Sequence, residues 1–129
     1  MFKKGELRTG NWVKSTPISI PRLGISSSGY TVVTTYGIHV YEEGHNIDWK
    51  PITLTEEILL KCTDFRKTKV EGVDSFFNGD NLLIRIEDMR LFLHSELDGE
   101  VFGVRYIKYV HELQNIFFIL EGFELNLQL

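Results

Sequence analysis

The stretch from about Tyr109 to Glu121 constrains this chain most. Val110, Leu113, Phe117 and Leu120 recur there at the i, i+3, i+7, i+10 spacing of one helix face, and Ile116 widens the stripe. Apolar side chains at that period form a ridge that needs a surface to bury against. Gly122 follows as a residue free to take the left-handed conformation that ends helices. His111, Glu112, Gln114 and Asn115 fall largely off the stripe. Leu125, Leu127 and Leu129 then alternate, which predicts a closing strand.

The surface for that ridge must come from sheet. Residues 7–52 are rich in Gly, Ser, Thr and β-branched side chains with frequent turn signals. Leu7–Lys14 reads as a turn feeding a first strand, and Pro17 and Pro21 confine Ile18–Ile20 to an edge strand or extended loop. Ser26–Gly29 is a turn. Tyr30–Tyr36 alternates with β-favourable residues on both sides, which leaves the buried face open. Gly37 interrupts it, Ile38–Tyr41 resumes it, and Glu42-Glu43-Gly44 looks like a hairpin turn before His45–Trp49. Thr55 is placed to cap a short helix ending before Asp64. Its first turn carries Glu56 and Glu57, where the helix dipole favours negative charge, and Leu54 is positioned to staple Leu59. Val70–Phe77, Leu82–Glu87, Arg90–His94 and Val101–Ile107 then read as an antiparallel meander. Asn78–Asn81, Glu87-Asp88 and Asp98-Gly99 supply its turns.

At 129 residues the chain has the length of one domain. We therefore expect a single α+β domain over residues 1–129. It comprises a curved N-terminal sheet or partly open small barrel, a short helix, an antiparallel meander, one longer C-terminal helix packed on it, and a closing strand. The hydrophobic fraction of 43% is enough to build a core and argues against disorder. No apolar run approaches the ~20 residues of a membrane span, and the charged start lacks the apolar segment of a signal peptide. A cytoplasmic setting is the expectation.

Three segments together resemble a known group. These are Leu7-Arg8-Thr9-Gly10-Asn11-Trp12-Val13, the helix Pro51–Cys62 with its Leu-Thr-Glu-Glu start, and Lys108–Leu125 with Tyr-Val-His-Glu-Leu-Gln-Asn. The pattern is similar to that of small uncharacterised proteins of phages, prophages and mobile elements of Bacteroides-like bacteria. The chain departs from it at Thr53, Ile58 and Thr63–Phe65, around the end of the first helix. The resemblance implies a genomic setting, with the host cell cytoplasm as location, and no chemistry.

Chemical motifs are sparse. His39, His45, His94 and His111 form no close ligand pair, and with the single Cys62 they give no reason to expect a metal. His39 and His94 read as exposed strand positions. Cys62 lies on the apolar side of the first helix and reads as a buried, inert thiol. Gly10 and Gly24 belong to no phosphate-cradling loop. Lys61, Arg66, Lys67 and Lys69 are the nearest thing to a basic patch and read as a solvated segment. His111, Gln114 and Asn115 form one polar strip by helix spacing. It is either a hydrogen-bonded junction to a loop or a contact strip for a partner. The aromatic residues are numerous enough that Phe92, Phe102 and Tyr106, in the meander, are candidates for an exposed binding surface.

These features predict a small non-enzymatic protein with no cofactor, acting by protein–protein binding; the resemblance implies a phage or mobile-element protein that modulates a host or defence component. The alternatives are a nucleic-acid-binding accessory module, which the net charge of −4 disfavours, and a structural virion component. The candidate partner-binding residues are His111, Gln114, Asn115, Phe92, Phe102 and Tyr106. Membrane association is not expected, and homo-oligomerisation stays open.

Overall fold

The computed structural model describes residues 2–15, 29–43, 48–94 and 101–129, without the side chains of 94 and 101–104. The expectations at Pro17–Pro21, Ser26–Ser28, Gly44–His45 and Asp98–Gly99 lie outside the described residues. The fold is α+β, with two antiparallel sheets and, among the described residues, no closed barrel. Backbone contacts group the chain into two compact units, Met1–Thr53 with Tyr109–Glu124, and Leu54–Lys108 with Leu125–Leu129. No helix among the described residues is long and apolar enough to cross a membrane.

In the first unit, β1 (Trp12–Ser15) is the middle strand, flanked by β2 (Tyr30–Val32) and β3 (Trp49–Lys50). The ladder places Val13 opposite Thr31. These two and Val33 are buried, while Val32 faces out, which resolves the face that the alternation left open. Phe2, Val13, Val33 and Trp49 form the core, with Leu7, Ile38 and Tyr41 packed on it.

The extended reading of Thr34–Tyr41 is corrected. Thr35–Glu42 is a helix, α1. Its N-terminus is capped by the Thr34 hydroxyl, which accepts the Gly37 N–H at 3.0 Å. The β-branched residues yield to packing. Ile38 and Tyr41 reach the core from this helix, and Tyr41 stacks on Trp49 at 5.4 Å. Gly37 is needed because a Cβ there would lie 2.6 Å from the Trp49 ring.

The C-terminal helix α3 spans Val110–Glu121 and ends on left-handed Gly122, as its spacing predicts. At its start the Glu112 carboxylate accepts the Tyr109 N–H at 2.9 Å. The buried stripe is rotated from the expected one. Val110, Leu113 and Phe117 are buried together with His111 and Gln114, whereas Leu120 is exposed. Helix α3 also groups with the three-stranded sheet and touches β1, where packing on the meander was expected.

The second unit begins with α2 (Glu56–Leu59), whose cap is Thr55 as expected, with its hydroxyl accepting the Ile58 N–H at 3.2 Å. The five-stranded sheet follows in sequence order: β4 (Arg66–Val70), β5 (Val73–Phe77), β6 (Leu82–Arg85), β7 (Arg90–His94) and β8 (Val101–Tyr106). Two readings change here. Glu71 and Gly72, both at positive φ, make a two-residue hairpin turn that divides the expected Val70–Phe77 strand. The basic segment Arg66–Lys69 is an exposed edge strand, where charged side chains discourage pairing with another chain. The expected closing strand reduces to a single bridge between Leu127 and Cys62, although Leu125 and Leu127 are buried.

Replacing Gly37 by Ala would normally add up to about 1 kcal/mol to a helix. Here the new methyl meets Trp49, and urea unfolding of Gly37→Ala is expected to show a loss of about 1–3 kcal/mol.

Candidate functional site

The polar strip on α3 is spoken for within the first unit. Gln114 Oε1 accepts the Trp12 N–H at 2.8 Å, and its Nε2 donates to the Gly10 carbonyl at 3.0 Å. Asn115 Oδ1 accepts from Asn11 at 2.8 Å and from Arg8 Nε at 3.1 Å. Arg8 also pairs with Glu124 and lies 4.3 Å above the Phe118 ring. His111, 1% exposed, meets Glu6 through Nε2 at 2.7 Å. An ionised carboxylate only accepts, so Nε2 carries the proton. The strip is thus a hydrogen-bonded junction to the N-terminal turns, the first of the two readings its spacing allowed. Of its partners, Glu6, Arg8, Asn11 and Glu124 were not singled out from sequence, because pairs more than 100 residues apart leave no local pattern.

Burial would raise the Glu6 carboxyl. The Lys3 backbone N–H, the His111 hydrogen bond and the nearby positive charge outweigh it and hold the group below its ordinary value. Cys62 goes the other way. Burial first, then Asp64, push its thiol up to about 12, so it is protonated and unreactive at neutral pH. His39 is on α1, not a strand, and lies 3.2 Å from Glu43 one turn on. Among the described residues no three His, Cys, Asp or Glu side chains gather as a metal site.

The second unit holds a more open arrangement. Cross-strand registers set two parallel rows on one face of the five-stranded sheet, because directly opposed residues share a face. One row runs Thr68, Ser75, Arg85, Arg90, Tyr106, and its neighbour runs Arg66, Phe77, Leu83, Phe92, Gly103. The other face carries Phe76, Ile84 and Leu91, all fully buried. Ser75 is small and buried, and its hydroxyl turns to the Val73 carbonyl at 3.3 Å. A depression of about 190 Å³ opens above it, lined by Val70, Glu71, Val73, Leu83, Arg85 and Phe92. That is below the ~300–1,000 Å³ of small-molecule sites, and suits a single inserted side chain. A wider hollow beside the start of β4 holds Asp64, Arg66 and Lys67. Its Lys67 is already paired with Glu56 at 2.6 Å.

The rim of the depression is cationic and aromatic. Arg85 is clamped by Asp88 through bonds of 3.0 and 2.6 Å and lies 5.1 Å from the Phe92 centroid. The Arg85 hydrogen bond holds the Asp88 carboxyl below its ordinary value. Arg90 lies 5.4 Å from both Phe92 and Tyr106, and among the described residues its guanidinium has no hydrogen-bond or ion-pair partner. Tyr106 is 62% exposed and Phe92 partly so. Of the three aromatic candidates, then, Phe92 and Tyr106 flank one arginine. Phe102 is opposite Leu93 in the ladder, and its side chain is outside the described residues. Arg85 and Arg90 were not singled out from sequence. The signal was there, since a hairpin turning at Glu87-Asp88 sets 85 against 90.

No family model, curated protein or solved structure matches this chain.

Three outcomes are expected. Replacing Gln114 by Met removes the acceptor of the Trp12 N–H and the donor to Gly10, and denaturant unfolding should show a loss of about 2–4 kcal/mol. Glu6 binds its proton less tightly in the native than in the unfolded state. Its contribution is therefore present above the ordinary carboxylate range and lost as pH falls through its depressed value. Glu6→Gln should flatten the acid side of a melting-temperature profile. Native Cys62 should resist a thiol reagent at pH 8 and react once denaturant is added, as followed by absorbance.

Proposed function

We propose that this chain is a non-enzymatic binding protein that contacts another protein through the open face of its five-stranded sheet. The observation that carries the proposal is Arg90 held between partly buried Phe92 and exposed Tyr106, beside a depression sized for one side chain. Arginine and aromatic side chains dominate the energetics of protein interfaces, where a few anchors in partly enclosed pockets supply most of the affinity. A second exposed apolar set, Phe118, Ile119, Leu120 and Phe123, lies at the end of α3. It offers no comparable charge, since the arginine above Phe118 is bound to Glu124.

The absence of an assigned reaction step rests on the chemistry of the groups present. The carboxyls held below their ordinary pKa are bound by structural partners, Glu6 by Lys3 and His111 and Asp88 by Arg85. The thiol is protonated. A role in modulating a host or defence component, in a host cytoplasm, belongs to the same proposal. It draws on the resemblance to phage and mobile-element proteins.

The test compares the wild-type chain with a Phe92→Ala/Tyr106→Ala variant, both immobilised and exposed to host extract. The variant should retain the wild-type fold by circular dichroism and lose a specifically bound protein, with affinity falling on the order of tenfold or more. Equal retention by both would overturn the assignment of the face.

A further inference from the structure

Resting on the binding role just proposed, the geometry points to a specific occupant: we infer that the sheet face receives an acidic protein segment, one carboxylate meeting Arg90 while an apolar side chain enters the depression beside Phe92.

The sheet breaks a local rule. Arg85 and Arg90 are directly opposed in the β6–β7 ladder, and like charges at such a pair repel. Asp88 in the intervening turn neutralises Arg85 with two bonds. Nothing described does the same for Arg90, whose Nε is buried without a hydrogen-bond partner. Phe92 and Tyr106 on either side fix where the guanidinium lies. They leave its remaining N–H donors for a planar anion, and a carboxylate fits that fork in a bidentate manner.

The surroundings select among anions. Glu71 lines the depression, Asp88 adjoins Arg85, and the chain as a whole carries −4. A polyphosphate strand would set its repeated charges against these carboxylates. One or two carboxylates on a peptide need only the unmatched arginine. Val70, Val73, Leu83 and Phe92 give the same segment an apolar seat, so charge sets orientation and burial supplies affinity.

The experiment uses the full chain and four labelled probes in fluorescence anisotropy. Three are short synthetic peptides with one Phe in a Gly-Ser background, differing only in flanking Glu, Gln or Lys. The fourth is a single-stranded oligothymidylate. The Glu peptide should bind about tenfold more tightly than the Gln peptide, weaken as salt rises, and lose that advantage on Arg90→Gln, with unfolding used to confirm that the variant is intact. Equal binding of the Glu and Gln peptides, preference for Lys, binding of the oligothymidylate in their place, or no binding of any probe would each overturn the inference. If all three peptides bind alike and Phe92→Ala/Tyr106→Ala abolishes the binding, the face remains a protein-binding surface and only its acidic preference falls. If the double alanine variant also retains everything the wild type retains from extract, the binding role falls with it.

Discussion

The register of the β6–β7 hairpin is the constraint on which the second unit depends. Residues 86–89 form the turn, with Met89 at positive φ and Asp88 tied back to Arg85. This fixes Ile84 against Leu91, Leu83 against Phe92 and Arg85 against Arg90. A slip of β7 by one residue would turn that strand over, sending Leu91 to solvent and Arg90 toward the core. The hydrophobic effect therefore enforces the register from one side. What the other side displays follows from that choice.

Each unit leaves some buried polar atoms without a hydrogen-bond partner among the described residues, the Thr31 hydroxyl, Trp49 Nε1 and His111 Nδ1 in the first and Arg90 Nε in the second. In the first, Gln114 and Asn115 each meet named donors and acceptors on the N-terminal turns, and Arg8 is matched by Glu124. Buried polarity of that kind stabilises when complete. On the sheet of the second, Arg85 is matched by Asp88 and the opposed Arg90 is not. Natural sequences keep local choices consistent with the fold and depart from that at sites used for something else. Arg90 is such a departure. Its neighbours, a depression floored by Ser75 and two aromatic rings, are features a partner can use.

Legibility in the sequence followed the range of the interactions. Thr55 capping α2, Gly122 ending α3 and the Asn78 turn all rest on neighbours within a few residues, and each is where the sequence places it. The strand reading of Thr34–Tyr41 failed because β-branched residues suggested sheet, while capping by Thr34 and the Trp49 ring against Gly37 decided for helix. The Glu71-Gly72 turn was missed because Glu rarely takes positive φ. His111 and Gln114 read as off-stripe because their partners are an N-terminal carboxylate and backbone groups, contacts that periodicity does not record. Phe92 and Tyr106 stood out by composition, whereas the arginine that joins them needed the hairpin register.

On the proposed reading the fold gains little from Arg90, and its charge serves an outside partner. The unfolding free energy of Arg90→Thr, measured by denaturant titration at neutral pH, tests this most directly. Thr suits a strand, removes the repulsion from Arg85 and the unpartnered Nε, and forfeits the ring contacts to half-buried Phe92 and exposed Tyr106. Stability within about 0.5 kcal/mol of wild type is expected. A loss of more than about 2 kcal/mol would show that the arginine is a structural member of the sheet, and would contradict it.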